Sequence, residues 1–540
     1  MNFCDQFARE LRAQGIDTIF GVLGDGNLFL MDSFVREHGG RYVAMAHESG
    51  GVLAASGYAQ VTGRVGVATV TYGPGLTNTV TALVDGARSS TPLLLIAGDT
   101  ALGDRDNLQN IDHREVVRST GAGFEQVGSP RTGGIDLARA LRRAKVEHRP
   151  IVLNVPIDFQ SELEPFDPAP EQTDELYAPL PDENSLDVAV GVIASSHRPI
   201  VLAGRGAISD EARVAMVRLA HQLGAPLATT LQAKDLFRGE AHDLGIVGGL
   251  AHETAVDTVA QSDCIIAFGA SLNALTTAEG SLTAAKQLVH VDIDPQSIGR
   301  FTKANCPVVA DAAAAATAMS DWLEKIEFTP TGFASAALAS RLSSAGSTAT
   351  AESTAPGTVP IAAALDLVDA VVPSDRTLVM DGGRFFIQSL ASLHVTQPRS
   401  CVHTGRFGSI GLGMAHAIGA AVGAPTRPVL LACGDGGFTL GGLAEFNSAV
   451  RHGLDITVLV LNDGAYGAEH IRLRSKGMDP SISTFDWPDF GSVATALGGQ
   501  GFRARDLEGL KSALSEIKHG NGPALVDVHI DPEKVPWPYH

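Results

Sequence analysis

Short apolar runs that end in glycine or an acidic residue recur along the whole of this 540-residue chain, separated by longer Ala/Leu-rich stretches of helical pattern. That alternation is the mark of βαβ units and a parallel sheet, because parallel neighbours need a helical crossover between them. The runs fall into three groups: "VGVATVTYG", "PLLLIAG" and "PIVLNVP"; then "PIVLAG", "CIIAFGAS" and "QLVHVDIDP"; then "TLVMDGG", "PVLLACGDG", "ITVLVLNDG" and "ALVDVHIDP". Two stretches break the texture, a Pro- and acid-rich one at 160–184 and a small, polar one at 345–357, and both read as linkers. The expected architecture is α/β, with three domains at about 1–165, 186–330 and 355–540, each a central parallel sheet flanked by helices.

Composition narrows the function classes. Aromatic residues make up only 6% of the chain, so apolar bulk comes from Ala, Val, Leu and Ile, as in helix-covered parallel sheets. A formal charge of −20 argues against nucleic acid or an anionic membrane as a main partner. Cys4, Cys264, Cys306, Cys401 and Cys433 are scattered, with no CxxC, which reads as buried thiols in a reducing compartment and not as a structural metal site. The first residues, "MNFCDQFARELRAQG", read as an amphipathic helix and not a signal peptide, and no apolar run approaches the roughly 18 residues of a membrane span. The cytoplasm is the expected compartment.

The stretch "CGDGGFTLGG" concentrates the chemistry. Glycines after a strand bare backbone N–H groups to a phosphate, yet Asp435 sits among Gly434, Gly436 and Gly437, where a carboxylate would repel one. A divalent cation between the two resolves the conflict. A helical stretch then leads to "DITVLVL", which ends in "NDGAYGAEH", so a second strand end delivers Asn462 or Asp463 to the same crevice. Magnesium takes about six hard oxygens, commonly one or two carboxylates with phosphate oxygens and water.

A GDG followed about 27 residues later by an Asn-rich turn resembles the diphosphate and magnesium motif of the thiamin-diphosphate-dependent enzymes. Anchored on "LVLND" and "YGA", the resemblance puts the metal asparagine's place at Asp463 and the main-chain carbonyl ligand at Ala465. Counting from Asp435 instead points to Asn462, because "GGFTLGGL" is one residue longer than usual. The anchored alignment is favoured, with Asp463 as an unusual second carboxylate.

Near the other end, "HESGG...GYA...TG..GV...T.GPG.TN" resembles the pyrimidine-binding domain of the acetolactate synthase and pyruvate decarboxylase group, whose catalytic glutamate matches Glu48. Glu48 opens a helix of small residues, where close packing can desolvate a carboxylate and raise its pKa. The resemblance implies that it hydrogen-bonds N1′ of the aminopyrimidine and favours the imino tautomer, whose 4′-nitrogen removes the C2 proton. In "GRFGSIGLG" the residue matching the wedge beneath the two rings is Ile410, and the Gly408 carbonyl would accept from the 4′-amino group. In this family the two cofactor halves come from different subunits, which implies a homodimer or homotetramer.

The reaction is less sharply marked. After a 2-oxo acid loses carbon dioxide, protonation gives an aldehyde, whereas attack on a second carbonyl gives a ketol. "GDGN" resembles a decarboxylase segment and places Asp25 near substrate, and Glu469 aligns with the decarboxylase glutamate after the metal turn. The paired histidines of pyruvate decarboxylases are missing. "DNLQNIDHREVVRSTG" is more like the synthase segment, with Gln109 in the place of its glutamine and His113 either a local substitute or an ordinary surface histidine. The synthase "GQHQ" is here "GGRFF", in which Gly383 lies by the diphosphate and Arg384 could face phosphate oxygens. "GASLNALTTAEG" stands where flavin-containing synthases have an arginine and paired aspartates, so FAD is not expected. The sequence therefore reads as an acetolactate synthase-like carboligase acting on a 2-oxo acid and a carbonyl acceptor. The alternative is a non-oxidative 2-oxo acid decarboxylase or acyloin lyase.

Overall fold

The computed structural model describes residues 2–163, 166–170, 178–344 and 355–534. It contains three six-stranded sheets with parallel pairing. The first is built from β1 (Thr18–Gly21), β2 (Arg41–Ala44), β3 (Gly66–Val70), β4 (Leu93–Asp99), β5 (Gly123–Gln126) and β6 (Pro150–Pro156). The second holds β7 (Pro199–Ala203), β8 (Leu227–Thr229), β9 (Asp243–Ile246), β10 (Cys264–Phe268), β11 (Gln287–Asp292) and β12 (Cys306–Val309). The third holds β13 (Thr377–Met380), β14 (Cys401–His403), β15 (Val429–Gly434), β16 (Ile456–Asn462), β17 (Gln500–Ala504) and β18 (Ala524–His529).

The first and third sheets repeat one winding, β2-β1-β3-β4-β6-β5 and β14-β13-β15-β16-β18-β17. The second is wound β12-β11-β10-β7-β8-β9. In such sheets ligands bind beyond the carboxyl ends of the strands, where the winding reverses. In the third sheet that point lies between β13 and β15.

The chain divides into two compact units, one of Met1–Thr173, Glu352–His394 and Val402–His540 and one of Asp174–Ala351 with Val395–Cys401. The first unit carries the first and third sheets, which share a continuous apolar core. The centre of that core is a helix pair, Glu48–Thr62 against Gly413–Gly423. Both helices are apolar on nearly every side, as expected of helices buried all round. Their backbones approach so closely that a Cβ on Gly419 would overlap the Ala54 carbonyl. The second unit has its own cores on the two faces of the β7–β12 sheet.

The amino-terminal helix is present as Phe3–Ala13. Of the expected linker at 160–184, residues 164–165 and 171–177 lie outside the described residues, and Phe166 is buried against Phe3 and Gly133. Most of the 345–357 stretch, 345–354, also lies outside them. The five cysteines are unpaired, and Cys401 departs from the expected burial by being partly exposed. Among the described residues no helix is long and apolar enough to cross a membrane.

Candidate active site

Strand β15 ends at Gly434, and the helix that follows starts at Asp435 without a connecting loop. Register sets what stands beside it: Gly434 pairs with Leu461 of β16, so Asp435 and the residues after Leu461 leave the sheet side by side. The helix runs to Arg451 with one π turn at Phe438–Gly442. This is where the sequence reading puts one surplus residue, and a π turn is how a helix takes up one.

Asp435 is buried, with Oδ1 accepting from Gly436 N at 2.8 Å and Oδ2 from Ala465 N at 3.2 Å. The same Ala465 N–H lies 3.1 Å from Asp463 Oδ1. Two buried carboxylates thus converge on one donor. Burial and then the neighbouring Asp463 charge push the Asp435 carboxyl up to about 7, and burial raises Asp463 too, against the pull of Arg384. Asn462 is turned elsewhere: its Nδ2 donates to Asp527 Oδ1 at 2.9 Å and its Oδ1 accepts from Gly464 N at 3.0 Å. Among the described residues no three His, Cys, Asp or Glu side chains cluster as a metal cage. A cation here needs oxygens from main chain and ligand, and two hard carboxylates at a glycine-rich helix start suit a magnesium diphosphate.

Arg384, expected to face phosphate, is committed differently. Its Nε lies 2.6 Å from Asp463 Oδ2, off the N–H axis, so the contact is an ion pair without an aligned hydrogen bond. Its other nitrogens donate to the main-chain carbonyls of Asp531, at 2.8 Å, and of Lys534. Gly383 is the residue between Gly382 and this arginine in the turn after β13.

Ile410 stands on a loop pinned by Asp381, a residue that the sequence reading passed over. The Asp381 carboxylate accepts from Gly382 N (2.8 Å), Thr404 Oγ1 (3.0 Å) and Gly411 N (2.8 Å), and burial raises its pKa. Ile410 lies between Gly382 and Gly437, within ordinary contact of where either would carry a Cβ, and Gly408 turns the chain before it at φ 77°.

Glu48 differs from expectation. Its helix is buried from Gly50 onward, but Glu48 itself is half-buried, and its Oε2 accepts from Asn78 Nδ2 at 2.9 Å. Asn78 belongs to the "GPGLTN" segment but was not singled out from it. The buried carboxylate at this helix start is Glu445, from the Leu443–Arg451 helix, which accepts from Ala46 N (3.2 Å) and His47 N (3.1 Å).

His113 is buried, which overturns the surface reading. Its Nε2 accepts from Gly73 N at 3.1 Å, so Nδ1 carries the proton and donates to Asn154 Oδ1 at 2.8 Å. Gln109 is half-buried over Gly73, where its backbone carbonyl would meet any Cβ. Asp25 is exposed in the turn after β1, beside buried Tyr72, whose hydroxyl pKa is raised by burial and by that carboxylate. Glu469 is exposed in the first turn of the Gly467–Ser475 helix.

Three family models, described as thiamine pyrophosphate enzyme N-terminal TPP binding domain, central domain and C-terminal TPP binding domain, match residues 1–117, 186–319 and 381–528. The chain belongs to the thiamine pyrophosphate enzyme family, and it is an enzyme of the acetolactate synthase type. It is 26% identical to the acetolactate synthase large subunit of Corynebacterium glutamicum over 98% of this chain and 87% of that one. The corresponding protein of Parasynechococcus marenigrum is 29% identical over 96% and 86%. A sulfoacetaldehyde acetyltransferase of Rhodobacter capsulatus is 28% identical over 94% and 90%.

Proposed function

We propose that this chain is a thiamin-diphosphate- and magnesium-dependent carboligase that joins the acyl part of a 2-oxo acid to a carbonyl acceptor. The observation that carries the reading is the convergence of Asp435 and Asp463 on the Ala465 N–H at the start of a glycine-rich helix. Asp435, Asp463 and the Ala465 carbonyl hold the cation. The Gly437 N–H, at the positive end of the helix, holds the diphosphate, with Gly434, Gly383 and Gly436, whose own N–H is taken by Asp435 Oδ1, giving it room. Gly408 and Ile410 would hold the rings.

When bound, thiamin diphosphate supplies a nucleophilic carbon and an electron sink for the departing carboxylate. Glu48 holds a proton at the pyrimidine nitrogen. Its half-exposed position within one chain supports a site completed by a second copy, hence a homodimer or homotetramer. Asp25 and Glu469 are exposed acids able to carry protons to and from substrate, and Gln109 lies beside the Gly73 turn that borders it.

Carboligation is preferred over simple decarboxylation because both ring nitrogens of His113 are engaged in holding Gly73 and Asn154. The histidine is then a pin for these two groups and not a proton donor for aldehyde release. A decarboxylase or acyloin lyase is the alternative. Flavin has no part in this reading, and the cytoplasm is the expected place. Three domains at about 1–165, 186–330 and 355–540 belong to the same reading. The test is incubation with pyruvate, thiamin diphosphate and magnesium, with acetolactate and acetoin separated from acetaldehyde. Acetaldehyde as the sole product selects the alternative, and no turnover on any 2-oxo acid contradicts both.

A further inference from the structure

Asp463 brings a second negative charge to a site that must also take a diphosphate. Arg384 answers that charge directly: the pair is 2.6 Å apart, with side chains only 4% and 5% exposed. The first residue of the following helix, Gly467, makes the contact possible. A Cβ there would overlap Asp463 Oδ2 and lie 2.7 Å from Arg384 Cδ. Arg384 is also tied to the carbonyls of Asp531 and Lys534, so it cannot swing freely toward a phosphate.

We propose that Arg384 and Asp463 act as one charge-compensated unit. Asp463 offers a carboxylate oxygen to the cation, and Arg384, a positioning residue, cancels the surplus charge. The site then presents the same net charge as one aspartate with a neutral amide. This inference rests on the reading of the site as a magnesium and thiamin diphosphate site. A carboxylate is a stronger magnesium ligand than an amide, but uncompensated it repels the diphosphate that shares the ion. A guanidinium fixed by main-chain carbonyls leaves the first effect and removes the second.

The pairing is tested by calorimetric titration of thiamin diphosphate into the full-length chain in excess magnesium, on wild type, Arg384→Gln, Asp463→Asn and the double variant. Removing the guanidinium alone exposes the buried carboxylate, and affinity falls by about ten-fold or more. Adding Asp463→Asn to Arg384→Gln then restores affinity to within about three-fold of wild type, the signature of coupled residues in a double-mutant cycle. If Arg384→Gln binds like wild type, or the double variant binds no better than Arg384→Gln, the pairing is wrong and Arg384 is only a tether for residues 531–534. Should Arg384→Gln fail to fold, the Asn background decides. Loss of the guanidinium there costs less than about three-fold if charge compensation is its role, and a ten-fold loss overturns it. Wild type that takes up no cofactor overturns both this inference and the functional reading, whereas uptake without rescue overturns the pairing alone.

Discussion

Glu445 holds the main-chain N–H of His47 at 3.1 Å, and its other oxygen holds that of Ala46 at 3.2 Å. One buried carboxylate from the Leu443–Arg451 helix thereby fixes the backbone just before Glu48, the first residue of the Glu48–Thr62 helix. Burial raises the Glu445 pKa, against the opposing pull of the Ser448 hydroxyl and then of the two N–H donors. Glu445→Ala takes the charged acceptor away from both part-buried donors, so urea unfolding should show a loss of about 1–3 kcal/mol. Turnover should fall further than stability accounts for, because Glu48 loses its anchor. Unchanged turnover in a destabilised variant would leave Glu445 a purely structural residue.

Glu48 itself gives a separate prediction. Glu48→Gln keeps the side-chain shape and an acceptor for Asn78 but cannot hold or release the proton. Cofactor affinity should remain within a few-fold of wild type, while turnover drops about 100-fold or more, the scale of a lost general acid or base. Equal activity of variant and wild type would remove Glu48 from the mechanism.

A pH dependence follows from Asp85. It lies in the Val80–Arg88 helix and is 1% exposed, facing the Arg406 charge, the Phe407 N–H, Asp381 and, 3.9 Å away, His416 Nε2. Burial pushes its carboxyl up to about 7, from an unfolded value of about 3.9. The folded chain therefore keeps a proton that the unfolded chain gives up. The stability this contributes is complete below about pH 4 and is lost as pH rises to about 7. Asp85→Asn mimics the protonated form. Between pH 5 and pH 8 its stability relative to wild type should improve by on the order of 2 kcal/mol in urea unfolding. A difference that does not change with pH contradicts the assignment.

Ile410 offers a test of the loop proposed to hold the rings. Its side chain is only partly buried, and the loop is held by Asp381 and not by Ile410 itself. Ile410→Ala should therefore cost less than about 2 kcal/mol of stability, below the range for a full core truncation. It should weaken activity more than cofactor binding, since the diphosphate end is untouched. Activity equal to wild type would mean that the loop does not shape the rings.

How far the fold could be read in advance depended on burial. The ten runs singled out became β3, β4, β6, β7, β10, β11, β13, β15, β16 and β18, all inner strands of the three sheets, with β1 and β8 the inner strands missed. Covered on both faces, such strands must be apolar throughout and are easy to see. Those missed, such as Arg41–Ala44, Leu227–Thr229 and Cys401–His403, lie at or next to sheet edges, where a run of three or four mixed residues carries no pattern. The turn from β15 into the helix at Asp435 was legible because glycine and acid at strand ends are local features. Glu445, Asp381 and Asn78 were not, since each acts through a partner distant in sequence, such as His47 for Glu445 and Gly411 for Asp381. The π turn and the Arg384–Asp463 pair likewise become visible only once register has been set.

The account stands on the shared grip of Asp435 and Asp463 on a cation and, through it, on a diphosphate. Calorimetric titration of thiamin diphosphate into the wild-type chain, once with magnesium and once with the ion chelated, tests this most directly. Saturable uptake that vanishes on chelation, and that Asp435→Asn abolishes or weakens by about 100-fold, is the expected result. No uptake in the presence of magnesium, or uptake indifferent to both the ion and Asp435, would contradict it.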